Sequence, residues 1–383
     1  MNKPLIMTPG PTYVHEDVRR AMLQEIINPD VDESFFEFYK ETGERLKKLL
    51  RTKNDVIIMS GEGILGLEAS CASIIEPGDR VLCIDNGIFG NGFGSYVKMY
   101  GGEATYLKFD YRQAVDVNVI EDFLKKDRNF KAATLVHCET PSGITNPIAD
   151  ICKILKKYRI LSIVDSVSAI GGEPLETDEW NIDIVLGASQ KCISAPPGLT
   201  FLSISQDAWN AILKRKTPIT GYYCNLSVWK SWYEERWFPY TQPVSDIYAL
   251  RVAVDRLIED SLRLERHRSI ANAVRTALVN SGLELYPING FSNTVTTFYV
   301  PKGTTFADIS NMMLNEHNIL IAGAFGFLKD RVIRIGHMGE NCREDKILKT
   351  LYALDKTFEK LHINLRSKLY SSWQYVPPYN SHL

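Results

Sequence analysis

From Val56 to Gly187 short apolar runs alternate with stretches of helical length. Val56-Ile57-Ile58-Met59 predicts a buried strand, then a glycine-rich turn and a helix through Leu67-Glu68-Ala69 to Ile75, ended by Pro77-Gly78. Arg80 to Asp85 predicts the next strand and Gly92 to Tyr100 the next helix. Ala133 to His137 predicts a strand, Ile148 to Tyr158 a helix with apolar positions three and four apart, and Ile160 to Asp165 a further strand. Ile182 to Leu186 and Thr200 to Ile204 read the same way. Strands that are apolar throughout belong in a sheet covered on both faces. The pattern predicts an α/β doubly wound unit.

After the aromatic stretch from Trp229 to Tyr240 the pattern changes. Ile247, Leu250, Val254, Leu257 and Ile258 form one helical stripe, suited to bridging to a second unit. Beyond residue 260 come a long helix, a strand from Asn293 to Val300, a helix from Ala307 to Glu316, a strand from Arg331 to Ile335 and a closing helix. That order is α+β. The expected division is residues 1–258, with the N-terminal segment, and residues 259–383. Pro377-Pro378 predicts a loop in the tail.

Composition narrows the partners. The 383 residues carry 44 Lys plus Arg against 46 Asp plus Glu, a net charge of −2. Phosphate backbones and anionic membranes are bound through cationic excess, so neither nucleic acid nor a membrane is expected as partner. The first ten residues lack the long apolar core of a secretory leader, and no apolar run approaches a membrane span. Seven scattered cysteines without a C-x-x-C pair suit neither a disulfide framework nor a metal site. The expectation is a cytoplasmic protein with reduced thiols and no metal.

Three constellations carry chemistry. Gly61-Glu62-Gly63-Ile64-Leu65-Gly66 fits G-x-G-x-x-G between a strand and a helix, and Asp85 closes the next strand 19 positions after Gly66. On paper this is a dinucleotide fingerprint, with a nicotinamide-dependent oxidoreductase as the remote reading. What it signals physically is a helix N-terminus whose N–H groups hold an anion. Glu62 opposes a phosphate there. It reads either as a first-turn acid complementing the helix dipole or as an acceptor for a hydroxyl where an anion would otherwise sit. Asp165 ends a wholly apolar strand, and Lys191 follows the next strand, so both fall on one rim of the sheet. A lysine that condenses with a carbonyl and a carboxylate that keeps a pyridine nitrogen protonated are complementary parts of vitamin B6 chemistry.

Six motifs in order carry a resemblance. They are Thr8-Pro9-Gly10-Pro11-Thr12, Asn86-Gly87-Ile88-Phe89-Gly90, His137 to Gly143, Val164 to Val167, Ser189-Gln190-Lys191 with Ala195 to Gly198, and Arg334-Ile335-Gly336. Together they resemble the class V aminotransferases of the fold type I vitamin B6 enzymes, over nearly the whole chain. The resemblance implies a large domain with a mostly parallel seven-stranded sheet and a smaller C-terminal domain. It makes Lys191 the Schiff-base lysine and proton carrier, with Asp165 on the ring nitrogen, Val167 and Phe89 on the two ring faces, and Thr140 on the ring hydroxyl. Glu62, Gly63 and Gln190 would form the cup for the 5′ substituent, and Arg334 would take the substrate carboxylate. It further implies a homodimer or a dimer of dimers, with Thr241 reaching into the neighbouring site.

Two departures refine this reading. Ordinary members place a small or hydroxyl residue where Glu62 stands, and often a phosphate-binding tyrosine where Phe238 stands. The pattern around Glu62 resembles the branch that moves an amino group between unphosphorylated pyridoxamine and pyruvate, giving pyridoxal and L-alanine. That branch carries a second arginine nine positions before Arg334, where this chain has Phe325. The alternative is a pyridoxal-phosphate-dependent alanine–glyoxylate or serine–pyruvate aminotransferase. Trp229, Trp232, Trp237 and Tyr240 read as a hydrophobic crossing or dimer surface, and His137 and His337 as structural histidines.

Overall fold

The computed structural model describes residues 3–377; Pro378 of the expected tail loop lies outside them. Seven strands form the central sheet: β1 (Asp55–Ser60), β2 (Arg80–Asp85), β3 (Glu103–Lys108), β4 (Ala132–Val136), β5 (Leu161–Asp165), β6 (Ile184–Ala188) and β7 (Leu199–Ile204). Their spatial order is β1-β7-β6-β5-β4-β2-β3. Only β7 runs against its neighbours, pairing antiparallel with both β1 and β6. All other pairs are parallel. The chain is therefore α/β, as its apolar runs predict, and its mostly parallel seven-stranded sheet is the one that the family resemblance implies.

Burial explains why these runs become central strands. Every residue of β4, β6 and β7 is buried, as a sheet covered by helices on both faces demands. The edge strand β3 is the one that the apolar pattern passes over. Its residues are half-buried or exposed, so they form no continuous apolar run. Helix boundaries differ by a few residues. The helix expected from Gly92 begins at Ile88, because Glu139 caps backbone N–H groups there that the local sequence does not reveal.

Two cores follow. The larger is built on the seven-stranded sheet and the helices against it. The second gathers Met7 with residues from Ile270 to Leu369 around β8 (Val295–Tyr299) and β9 (Val332–Gly336), which pair antiparallel. Leu5–Ile6 pairs in parallel with Ile319–Leu320, so the N-terminal segment enters the second core before Val18 and Ala21 join the first. The helices Val244–Glu259 and Arg263–Asn280 link the two cores, meeting near the expected division at 258/259.

Candidate active site

Because β1, β2, β4, β5 and β6 run the same way, their C-terminal ends share one edge, where open α/β sheets bind ligands. That edge receives Glu62 after β1, Phe89 after β2, Glu139 and Thr140 after β4, Asp165 at the end of β5 and Lys191 after β6. Asp165 and Leu186 are register partners on adjacent strands, which brings Asp165 and Lys191 to the same rim.

Lys191 Nζ donates to the Pro9 carbonyl at 2.7 Å. Burial lowers its pKa, Arg334 lowers it further, and Asp165 opposes both. The neutral, nucleophilic amine is thereby favoured. Gly10, at φ +89°, lies so close that a Cβ there would meet Lys191 Cδ at 2.5 Å. Gly336 N donates to the Met7 carbonyl, and a Cβ on Gly336 would strike the Thr8 backbone. The strand that bears Arg334 thus packs against the segment that holds the lysine.

Asp165 is buried, and burial pushes its carboxyl up to about 6 although the Val167 N–H donates to it at 2.9 Å and Lys191 attracts it. Glu62 adds to the upward shift. That net displacement corresponds to about 3 kcal/mol against the charged form. Ile163 and Val164 beside it, fully buried, each contribute about 2 kcal/mol in the other direction. The strand therefore tolerates a poorly solvated carboxylate at its end, a group poised to pair with a protonated nitrogen.

The glycine-rich turn after β1 holds a carboxylate. Glu62 caps the helix Gly63–Ile74, accepting from Ile64 N at 3.1 Å, and its other oxygen accepts from Gln190 Nε2 at 3.4 Å. Gly63 lies against Val167, where a Cβ would come within 2.8 Å of Cγ2. Sheet order overturns the nicotinamide reading of this turn. In a dinucleotide fold the strand ending in the ribose-binding acid flanks the strand before the glycine loop. Here β7, β6, β5 and β4 separate β1 from β2. Asp85 is moreover buried and accepts from Asn91 Nδ2 and the Tyr111 hydroxyl.

Phe89 and Thr140 are joined through a residue to which the sequence reading gave no role. The Glu139 carboxylate, fully buried, accepts from Gly90 N at 2.6 Å and Phe89 N at 3.2 Å. Thr140 Oγ1 meets Ser168 Oγ at 2.9 Å. The signal for Glu139 is the one that marks Asp165: an acid closing an apolar run at a strand end. Burial raises Glu139 to about 8 despite both N–H donors. A carboxyl raised in the folded state favours folding below its unfolded pKa near 4.5, and that contribution is lost as pH rises toward 8. Chemical denaturation of Glu139→Gln between pH 5 and 9 should show a flatter stability profile than the parent, by at most a few kcal/mol. Equal slopes would contradict this account of Glu139.

Arg334, on β9, is nearly buried, and burial lowers it to about 10. Its Nε donates to the Gly323 carbonyl at 2.6 Å. No carboxylate lies within ion-pair distance of it among the described residues. Phe325, where a second arginine is expected, sets its ring edge-on to Phe89 with centroids 5.7 Å apart.

The remaining residues singled out in the sequence pack elsewhere or serve structure. Phe238 lies in the aromatic core of its own chain, stacked on Phe36 at 4.7 Å and Trp232 at 5.3 Å. It is core filling rather than part of the cup, because its apolar ring packs among other aromatic rings. Thr241 is exposed and donates to Asp30. Trp229 is buried within the same cluster, whereas Trp237 is exposed. His337 bonds Thr296 and the Asn293 carbonyl, and His137 bonds Ser166; burial lowers them to about 3 and about 4, so both are neutral. Among the described residues no group of three or more acidic, histidine or cysteine side chains is arranged to hold a metal ion, and no helix is long and apolar enough to cross a membrane.

Comparison with known proteins agrees with this geometry. The Aminotransferase class-V family profile matches residues 28–326. An uncharacterized aminotransferase of Methanocaldococcus jannaschii is 36% identical, over 95% of each chain. The pyridoxamine–pyruvate transaminase of Mesorhizobium japonicum is 30% identical, over 91% of this chain and 90% of its own. The crystal structure of the ureidoglycine–glyoxylate aminotransferase from Bacillus subtilis superposes with a TM-score of 0.93 at 32% identity, covering 97% of both chains. With its lysine and aspartate on one rim of a seven-stranded sheet and more than nine-tenths of its length aligned with transaminases, the chain belongs to the class V aminotransferases, vitamin B6 enzymes of fold type I.

Proposed function

We propose that this protein moves an amino group between unphosphorylated pyridoxamine and an oxo acid, pyruvate in the first instance, giving pyridoxal and L-alanine. The carrying observation is the Glu62 carboxylate on the N–H of Ile64, where a phosphate would need that donor. A charge pair about 4 Å apart costs on the order of 4 kcal/mol at an effective dielectric near 20, so a phosphate and Glu62 disfavour one another. A neutral hydroxymethyl group instead donates to the carboxylate. The 30% identity to a transaminase named for pyridoxamine and pyruvate supports the same choice.

The residues fit the vitamin. Gln190 Oε1 is buried without a partner beside Lys191, and Arg334 has no counter-charge of its own among the described residues. Lys191 would hold the vitamin's carbonyl carbon, Asp165 its ring nitrogen, Thr140 its ring hydroxyl, Phe89 and Val167 its two faces, and Glu62, Gly63 and Gln190 its 5′ hydroxyl. When bound, the vitamin supplies an electron-withdrawing ring that acidifies the neighbouring C–H bond. The chain's own part is otherwise local. Lys191 is the base that holds and moves the proton, Asp165 stabilises positive charge at its strand end, and Arg334 fixes the oxo-acid carboxylate by a two-pronged pair.

The test is turnover of pyridoxamine with pyruvate by dialysed protein, with and without added pyridoxal phosphate. Pyridoxal and alanine without the phosphate ester are expected. Activity confined to the phosphate ester, with alanine and glyoxylate as substrates, would instead favour the phosphate-dependent reading.

The seven unpaired cysteines support a reducing compartment, the cytoplasm. Exposed apolar side chains around the Asp30–Thr241 contact, with Leu23 84%, Ile26 68% and Val31 74% exposed, support a homodimer or a dimer of dimers in which Thr241 serves the neighbouring site. Sedimentation should read at least twice the 43.4 kDa chain mass; a monomer at micromolar concentration would remove that arrangement.

A further inference from the structure

We infer that Phe325 makes the acceptor side of this site apolar, so that the oxo acids taken up are those with hydrocarbon or aromatic side chains rather than a second carboxylate. The inference rests on the transaminase reading above and extends it to substrate class.

The ring is held in place rather than left on a loose loop. Upstream, Arg334 Nε binds the Gly323 carbonyl, and Ala322 and Arg334 exchange backbone hydrogen bonds. Downstream, Leu328 is buried in a small cluster with Tyr286 and Val332, against which Ile88 packs. Gly326, at φ +60°, turns the chain between these anchors, and a Cβ there would come within 3.3 Å of Ile88 Cδ1. Phe325 is thus fixed edge-on over Phe89, two residues from the carbonyl that positions Arg334. It remains 44% exposed, and Phe327, tilted on Tyr111 at 5.2 Å, is 43% exposed. A substrate bound by its carboxylate to Arg334 extends its other end beside apolar surface that is still wet.

Charge points the same way. Arg334 is the cation of the group, Lys191 favouring its neutral form, whereas Glu62 and Asp165 are acids on the same rim. Arg112 is engaged elsewhere, donating to the Tyr286 carbonyl and to Glu284. A second substrate carboxylate would meet the aromatic edge of Phe325, an unpaired charge in a half-buried place. A hydrocarbon group would cover Phe325 and Phe327 and remove them from water.

The experiment compares kcat/KM for pyruvate, the oxo acids of leucine and phenylalanine, oxaloacetate and the oxo acid of glutamate, with pyridoxamine as donor. Alongside it, calorimetric titration of the purified protein with isocaproate and with glutarate reads binding without turnover. The apolar acids should exceed the dicarboxylic ones by roughly tenfold or more in both measurements. Phe325→Arg should narrow or reverse that order, and Phe325→Ala should weaken isocaproate binding. Since the side chain is half-exposed, circular dichroism of both variants should match the parent. Turnover that favours the dicarboxylic acids, or an order untouched by Phe325→Arg, overturns the inference while leaving transamination intact. No turnover with any acceptor overturns the pyridoxamine reading above, and the isocaproate–glutarate comparison still decides on Phe325.

Discussion

Lys191→Ala should fold normally and lose transamination by about four orders of magnitude, the scale of a positioned proton carrier and nucleophile removed together. Folding should survive because the amine contributes one hydrogen bond, to the Pro9 carbonyl, and belongs to neither apolar core. The loss is large because nothing else on the rim replaces it. Asp165 and Glu139 are acids, His137 and His337 are buried neutral groups bound to other partners, and the Arg334 guanidinium stays protonated. Borohydride reduction in the presence of pyridoxal should attach the vitamin to Lys191 in the parent and leave the variant unlabelled. Peptide mapping that finds the label on another lysine, or a variant within tenfold of parental turnover, would refute the assignment.

Glu62→Ser should strengthen binding of pyridoxal phosphate by roughly ten- to hundredfold while weakening discrimination in favour of the unphosphorylated vitamin. The lower end of that range reflects solvent: Glu62 is exposed, so water screens much of the repulsion that the same geometry would produce in a dry pocket. A serine keeps the cap on the helix Gly63–Ile74, since its hydroxyl also accepts from the first-turn N–H groups. The substitution thereby separates the charge from the capping role. Fluorescence titration with the two vitamers reads the effect directly, and unchanged affinity for the phosphate ester would mean that Glu62 does not set the choice.

The sheet was legible because β4 to β7 are mostly apolar and almost wholly buried runs, and the rim was legible because Asp165 ends one of them with a charge. What stayed hidden depends on contacts between distant segments. Glu139 looks like one more residue in a motif until its carboxylate is found on the amides of Phe89 and Gly90, some 50 positions upstream. The edge strand β3 escapes because half-buried positions leave no period to read. The G-x-G-x-x-G spacing misleads for a related reason: local spacing records a tight turn before a helix, but strand order decides what the turn can bind.

The opening residues tie two parts of the molecule together. Leu5–Ile6 is a strand of the C-terminal unit, while the Pro9 carbonyl, three positions on, accepts from the amine of a lysine mounted on the central sheet. A strand partner of one unit is thereby, within a few residues, the hydrogen-bond partner of the nucleophile mounted on the other.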